Sequence, residues 1–142
     1  MGSGFRLLGD TLLAEKAPQS RGEGQTHVLL SHTHWDHMIG LPFHKPVYIK
    51  GNRFTFHGCH ANLEARLAYQ HRATHFPVPW QAMPSTRECV QHAAGEPFSI
   101  GGFQITPFEL NHPGASYGYR VQHGASAAFV YASDSAFQNI SS

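Results

Sequence analysis

Charged residues are scarce in this sequence, and nothing in it is typical of a membrane protein. They make up 13% of the 142 residues, and ten basic against nine acidic side chains leave a formal net charge of +1. A balance so close to neutral argues against recruitment of nucleic acid by bulk charge. No apolar run approaches the length of a membrane span, and the N-terminus has no apolar core of the signal-peptide type. We therefore expect no membrane partner, and we see no strong nucleic-acid signal.

Cysteine is scarce as well. Cys59 and Cys89 are the two cysteines of the chain, and they lie in unrelated sequence contexts. This usage is typical of a reduced, cytoplasmic protein, with a Cys59–Cys89 disulfide as the alternative. The sequence has no internal repeat and no low-complexity tract, and its length fits a single domain over residues 1–142. It carries no signal for an oligomeric state.

Histidine, by contrast, is abundant, with twelve residues in the chain. Four candidate metal ligands lie together in the run His32–His37, which reads HTHWDH. This run follows Thr26–Ser31, a short apolar segment that predicts a buried strand, and precedes a glycine and a proline that break regular structure. In an extended backbone His32 and His34 point to the same side, and the two ligands after them follow where the chain must turn.

The donor types of this run indicate which metals it would bind. Imidazole nitrogens with a carboxylate, here Asp36 beside His37, suit Zn²⁺, Fe²⁺ or Mn²⁺ better than Ca²⁺ or Mg²⁺. The alternative interpretation is a histidine-rich surface turn, or core histidines that bond to backbone groups. Three histidines and an aspartate at four fixed offsets favour the metal site, because this combination seldom arises by chance.

The run Leu29–His37 resembles the metallo-β-lactamase superfamily, and most of all its phosphodiesterase and ribonuclease Z-like branch. The resemblance implies an α/β protein with an αββα sandwich (an α+β sandwich), in which ligands come from loops at one edge of two packed sheets. It also implies two ligands further along the chain: His112, and Asp134 as a carboxylate that bridges two metal ions.

Two features of the sequence support these implied ligands independently. Phe103–Leu110 partly alternates and predicts a strand, and His112 follows its end. Ser126–Tyr131 is a short apolar run that also predicts a strand, and Asp134 follows it. Sheet folds place functional residues on the loops after strands. Taken alone, each residue has a simpler interpretation, since the histidine fits an ordinary turn and the aspartate a turn or helix cap.

The resemblance covers nearly the whole chain but only the middle of the family's domain. In the family, several strands and a glycine-rich turn precede the first helix, and Met1 falls inside that turn. The family also continues beyond the position of Ser142 to a last helix, a strand and a final histidine ligand. We therefore expect a truncated domain, a partial fold whose N-terminal strands and C-terminal end are missing from this sequence.

The resemblance also implies a reaction. The first metal ion would bind His32, His34 and His112, and the second would bind Asp36 and His37. Asp134 would bridge the two ions. Two divalent ions, with Zn²⁺ expected ahead of Mn²⁺ or Fe²⁺, would activate a shared water as hydroxide. Asp36 and Asp134 are the candidate catalytic residues, and the expected substrate is a small phosphodiester or a nucleotide-like molecule.

Other activities remain as alternatives. Members of the same superfamily hydrolyse thioesters or lactams, and one branch reduces oxygen or nitric oxide at a di-iron centre. The redox branch prefers glutamate at the position of His34, and many lactamases carry cysteine at that of Asp134, so both rank below a phosphodiesterase. A non-catalytic metal-binding or sensing module and an inactive truncated chain are the alternatives outside hydrolysis.

The rest of the chain predicts short elements joined by loops. The predicted helices and strands are Phe5–Lys16, Pro46–Lys50 and Arg53–His57 around the Gly51-Asn52 turn, Ala61–Gln70, Glu88–His92, Pro97–Ile100 leading into Phe103, and Tyr117–Gln122 paired with Ser126–Tyr131. Several polar or aromatic residues have both a functional and a structural interpretation. His57 and His60 could form a second metal site or mark a strand end, and His71, His75 and His92 could belong to a substrate lid or be exposed loop residues. Arg53, Arg66 and Arg72 could bind phosphate or be solvated charges. Trp35 could be a stacking platform, but packing behind the ligands is the preferred interpretation.

Overall fold

The computed structural model of the chain describes residues 1–136, which form two β-sheets and a set of helices. The α-helices of this part are α1 (Ser3–Ala14), α2 (Trp35–Met38) and α3 (Leu63–Tyr69). Short 3-10 helices cover Pro18–Arg21, Leu41–Phe43, Lys45–Tyr48 and Trp80–Ala82. The strands are β1 (Gln25–Leu29), β2 (Arg53–Gly58), β3 (Thr86–Gln91), β4 (Phe98–Ile100), β5 (Phe103–Leu110), β6 (Ser116–His123) and β7 (Phe129–Tyr131).

The two sheets differ in how their strands run. β1, β2 and β3 lie side by side and parallel, whereas β4 to β7 follow chain order and are antiparallel. Parallel neighbours require a crossover connection, and the segment with α3 provides it between β2 and β3. This mixture of helices with two separate sheets agrees with the predicted α/β class. No helix in the described part of the chain has the length and apolar character needed to cross a bilayer.

One face of the parallel sheet forms the hydrophobic core with the helices. Val28 of β1 and the pair Phe54 and Phe56 of β2 point to the same side, because side chains alternate along a strand. They pack against Leu67 of α3 and against Trp80, and all five are at most 8% exposed. Burial of one such side chain contributes roughly 1.5–3 kcal/mol. This core sets the position of β1, whose end leads into the histidine-rich run.

One prediction about the segment between β1 and β2 is wrong. Pro46–Lys50 is not a strand, since Lys45–Tyr48 forms a 3-10 helix that buries Val47 completely. The Gly51-Asn52 turn lies in the loop before β2, and β2 pairs in parallel with β1 rather than in a hairpin. Proline at position 46 lacks the N–H that a sheet requires and favours the start of a helical turn.

Asn52 fastens the loops around the start of β2. Its fully buried side-chain amide donates to the carbonyl oxygens of Gln19 (2.8 Å) and Pro46 (2.9 Å), and its carbonyl accepts from the N–H of Gly24 (2.9 Å).

The other predicted elements are present with shifted ends, as is common at helix and strand termini. The turn expected at Asp36 is the short helix α2. Both cysteines are free, so the alternative disulfide is not formed.

Three histidines form a ladder on the other face of the parallel sheet. His27 of β1, His57 of β2 and His92 after β3 alternate with the residues that face the core. Hydrogen bonds join His27 Nδ1 to His57 Nε2 (3.0 Å) and His57 Nδ1 to His92 Nε2 (2.9 Å). Phe98 of the antiparallel sheet stacks on His92, with 3.5 Å between ring centroids. The ladder therefore lies where the two sheets meet.

The ladder makes stability depend on pH. Burial, followed by the nearby His92 and His27, lowers the pKa of His57 from 6.5 to about 4. As the pH falls below 6.5, His57 becomes protonated in the unfolded chain, whereas in the folded chain it stays neutral until about pH 4. The free energy of unfolding therefore decreases between these two pH values. We expect the free energy of unfolding to decrease from pH 7 to pH 5 in both proteins. The decrease should be about 1–2 kcal/mol smaller in His57→Gln than in the parent.

This difference is measured by urea unfolding of the metal-free protein at the two pH values. His123→Gln is the matched control, because it removes an exposed histidine at the end of β6. If the free energy of unfolding decreased equally in His57→Gln and in the parent between the two pH values, His57 would not remain neutral in the folded state.

Candidate metal centre

The backbone just beyond β1 is bonded on both sides before the candidate ligands begin. Leu30 donates its N–H to the carbonyl of His57 (2.8 Å), and its own carbonyl accepts from the hydroxyl of Tyr119 (2.7 Å). The carbonyl of Ser31 accepts from the N–H of Tyr117 (3.0 Å). The chain is thus attached to both sheets at the point from which the histidines project.

The first group of candidate ligands consists of three imidazoles. His34 Nδ1 lies 3.1 Å from His32 Nε2 and 3.1 Å from His112 Nε2. His32 and His34 belong to the loop between β1 and α2, whereas His112 lies in the turn between β5 and β6. One nitrogen of each ring lies within 4.8 Å of the other two. Two distant segments therefore converge on one point.

The second group joins His32 and His37 to a carboxylate. Asp134, just beyond β7, places Oδ2 at 3.1 Å from His37 Nε2 and at 3.8 Å from His32 Nε2. The same oxygen is 3.8 Å from His112 Nε2, so it also approaches the first group. A carboxylate oxygen between two groups of imidazoles is the arrangement that a bridging ligand requires.

Asp36 stands apart from these groups. Its Oδ2 is 3.3 Å from His37 Nε2, but its side chain is 77% exposed and it belongs to neither three-residue group. His32, in turn, belongs to both groups, although the expected division gave it to the first ion alone. The structure thus brings five of the six predicted residues into two overlapping groups and leaves Asp36 at their edge.

Two serines that the sequence did not single out hold the far nitrogen of His32. Ser31 Oγ lies 3.2 Å and Ser116 Oγ 3.4 Å from His32 Nδ1. Partners on the second ring nitrogen fix the orientation of a ligating histidine, so Nε2 is directed at the other ligands. Ser31 is adjacent in sequence, but no sequence signal connects Ser116 with a residue 84 positions earlier.

The protonation of the cluster suits a cation. Burial, with the positive charge of the surrounding histidines, lowers the pKa of His32 to about 4, so this imidazole is neutral at pH 7. Partial desolvation acts to raise the pKa of Asp134. Its own backbone N–H and the nearby His37 outweigh that effect and lower the pKa below its usual value. Neutral imidazoles and an ionised carboxylate are the forms that bind metals.

The geometry fits a divalent transition metal. Bonds of about 2.0–2.1 Å in a tetrahedral site put neighbouring ligand atoms about 3.3 Å apart. The separations of 3.1 Å and 3.8 Å within the cluster lie on either side of that value. Imidazole with carboxylate is the donor set of zinc, manganese and iron sites. His32, His34, His37, His112 and Asp134 are the residues that would hold such ions.

The chain resembles known proteins along nearly its whole length. The family model described as the Beta-lactamase superfamily domain matches residues 4–139. Ribonuclease BN of Escherichia coli O1:K1 is 30% identical over 105 residues, which cover 67% of this chain and 30% of that protein. The chain therefore matches less than a third of the length of this relative.

Solved structures show the same fold. The metallo-beta-lactamase fold protein YhfI from Bacillus subtilis aligns with a TM-score of 0.59 and 23% identity, covering 93% of this chain and 46% of that chain. The short form of human tRNase Z aligns with a TM-score of 0.58 and 15% identity, covering 88% and 54%. The fold class predicted from the sequence is confirmed by these likenesses.

The overlap of the two ligand groups leads to a test of the centre. In a Co²⁺ titration we expect His34→Ala to lose one ion and His37→Ala mainly to weaken another. His32→Ala should impair both, because its nitrogen belongs to both groups. The electronic absorption of bound Co²⁺ and the metal content after dialysis are the measurements.

His75→Ala is the matched control, since it removes an exposed histidine that lies in neither group. Loss of the same ion from His34→Ala and His37→Ala would contradict the division into two sites.

Proposed function

This chain belongs to the β-lactamase superfamily, and from that premise we propose that it is part of a metal-dependent hydrolase that cleaves a phosphodiester. One observation carries the proposal: Asp134 Oδ2 lies within 3.1–3.8 Å of ligand nitrogens in both histidine groups. An aspartate needed only for a turn would not have to meet three imidazoles from two other segments.

The residues divide the work by their positions. His32, His34 and His112 would hold one divalent ion, His37 and Asp134 would hold the second, and the negative charge of Asp134 would offset the positive charge of the ions. Ions bound there, Zn²⁺ ahead of Mn²⁺ or Fe²⁺, would lower the pKa of a water towards about 7 and neutralise charge on the phosphorus oxygens. The two serines on His32 Nδ1 keep that imidazole aligned while substrate enters and leaves.

Asp36 lies on the solvent-exposed side of the candidate metal centre. Its carboxylate is exposed yet only 3.3 Å from His37 Nε2, so it faces the solution from which substrate and water arrive. We propose that Asp36 would help to hold the second ion and would orient the attacking water by accepting a hydrogen bond from it. Asp36 and Asp134 are therefore the proposed catalytic carboxylates.

Features of the chain and of its relatives favour a phosphodiester over other substrates. Ribonuclease BN and tRNase Z are ribonucleases by name, and ribonucleases cleave phosphodiesters. This sequence has histidine at position 34 and aspartate at position 134, rather than the glutamate of the redox branch and the cysteine of many lactamases. A small phosphodiester or nucleotide-like substrate agrees with a net charge of only +1, which would not attract a long nucleic acid.

A cytoplasmic location is proposed from the cysteines. Cys59 and Cys89 are free and partly buried, and burial raises the pKa of each thiol to about 11. Both thiols are protonated at neutral pH and unreactive, which suits a reducing compartment in which no disulfide forms.

The mechanism depends on Asp134, and its removal is the direct test. Expressed from its complete reading frame and supplied with Zn²⁺ or Mn²⁺, the protein should hydrolyse bis(p-nitrophenyl) phosphate, and chelation should stop the reaction. Asp134→Ala should reduce kcat/KM by more than about a hundredfold, since even residues that only support metal ligands cost 10- to 100-fold. Release of p-nitrophenol gives the rate, and circular dichroism reports folding.

Asp10→Asn is the matched control, because it removes an aspartate that pairs with Lys45 at 2.7 Å and belongs to neither ligand group. It should retain the parental rate, since an exposed ion pair contributes at most about 1 kcal/mol to stability. A folded Asp134→Ala variant that works at the parental rate would refute the proposed mechanism.

A further inference from the structure

A groove of about 370 Å³ lies next to the candidate metal centre, between α2 and α3. We call it the Trp35 groove and define it by Thr33, Trp35, Arg66, Tyr69 and Arg72, which line it. Its volume lies in the range of small-molecule sites. Neither the metal ligands nor the proposed mechanism explains its chemistry.

Aromatic surface is exposed in this groove. Trp35 is 57% exposed and Tyr69 is 48% exposed, although large aromatic rings of a stable fold are usually covered. The ring of His75 meets Trp35 edge-on, at 5.7 Å between centroids and 87° between planes. The expectation that Trp35 packs behind the ligands is therefore wrong.

Two guanidinium groups stand at the same groove without acidic partners. Arg66 donates from Nε to the carbonyl of Ala61 (3.1 Å) and from Nη1 to Thr33 Oγ1 (3.2 Å). Arg72 lies over the ring of Tyr69, 4.3 Å from its centroid. In residues 1–136 neither arginine forms an ion pair with a carboxylate. Both guanidinium groups contact neutral groups here, so the positive charge of each remains available to an anion.

The groove and the metal centre share one loop. Thr33 lies between His32 and His34, and Trp35 follows His34 directly. The hydrogen bond from Arg66 to Thr33 therefore ties a guanidinium to the loop that carries the ligands.

We propose that the Trp35 groove binds one nucleoside monophosphate unit, with its phosphate on Arg66 and Arg72 and its base stacked on Trp35. Guanidinium groups pair with phosphate oxygens in two-pronged fashion, and stacking on an aromatic ring accepts any base. As a substrate subsite it rests on the proposed function, since it adds a nucleotide to the phosphodiester. The binding itself needs no metal.

The test measures binding without metal or turnover. The protein in excess EDTA is titrated by calorimetry with AMP, with adenosine and with inorganic phosphate. We expect AMP to bind at least about tenfold more tightly than either part, because it engages the ring and both arginines. Trp35→Ala should weaken AMP about tenfold, which is the usual effect of losing one stacked base. Arg66→Gln should weaken AMP by a similar factor and adenosine hardly at all.

Matched controls separate the groove from the general surface. Arg53→Gln removes an exposed arginine at the start of β2, and Phe129→Ala removes an aromatic ring that is 65% exposed on β7. Both should leave AMP binding unchanged. Equal affinities for AMP and phosphate with no effect of Trp35→Ala would overturn the proposal, as would equal losses in the controls. A short oligoadenylate that binds more tightly than AMP would identify an RNA strand as the source of the nucleotide, and equal binding would identify a free nucleotide.

The two proposals fail differently. If Asp134→Ala retains turnover while AMP binding follows Trp35 and Arg66, the mechanism is wrong and the nucleotide site stands. If metal-dependent hydrolysis depends on Asp134 but AMP does not bind in EDTA, the groove has no such role and the hydrolase remains.

Discussion

The backbone at Leu30 and Ser31 is the place where the two sheets are attached to each other, and the histidine cluster depends on it. The hydroxyl of Tyr119 and the N–H of Tyr117, both on β6, donate to the carbonyls of these two residues at 2.7 Å and 3.0 Å. Tyr119 is fully buried, and burial raises the pKa of its phenol, so it stays a neutral donor. Since His32 follows directly, a shift of β6 along β1 would separate it from the turn that carries His112.

The twelve histidines show that residue type alone does not define a site. In the candidate centre, imidazole nitrogens from separate segments point at a common region together with Asp134 Oδ2. In the ladder, His57 instead uses its two nitrogens in opposite directions, towards His27 and His92. One arrangement can surround an ion, and the other joins strands. Burial lowers the pKa in both, so neutrality does not distinguish them.

Much of the fold and of the centre was predictable because the informative patterns are local. Apolar runs and alternation located β1 and β5, and the family resemblance, supported by the predicted strand ends, pointed to His112 and Asp134. The pattern failed at Pro46–Lys50, where apolar residues serve a 3-10 helix whose Val47 fills the core. Asp36 is the predicted ligand that lies at the edge of the cluster, since its side chain is 77% exposed while its Oδ2 is 3.3 Å from His37 Nε2.

The sequence by itself determined the ligand types, their offsets and the strands that precede them, since these follow from neighbouring residues. The tertiary structure alone decided that His32 is common to both groups and that Ser116 holds its far nitrogen. It also decided that Trp35 lies open beside Arg66. These facts depend on how β6 bonds to the residues just beyond β1 and how Arg66 of α3 bonds to Thr33 in the loop that carries the ligands. Contacts between residues dozens of positions apart have no signature in a single sequence, because each partner is ordinary in its own local context.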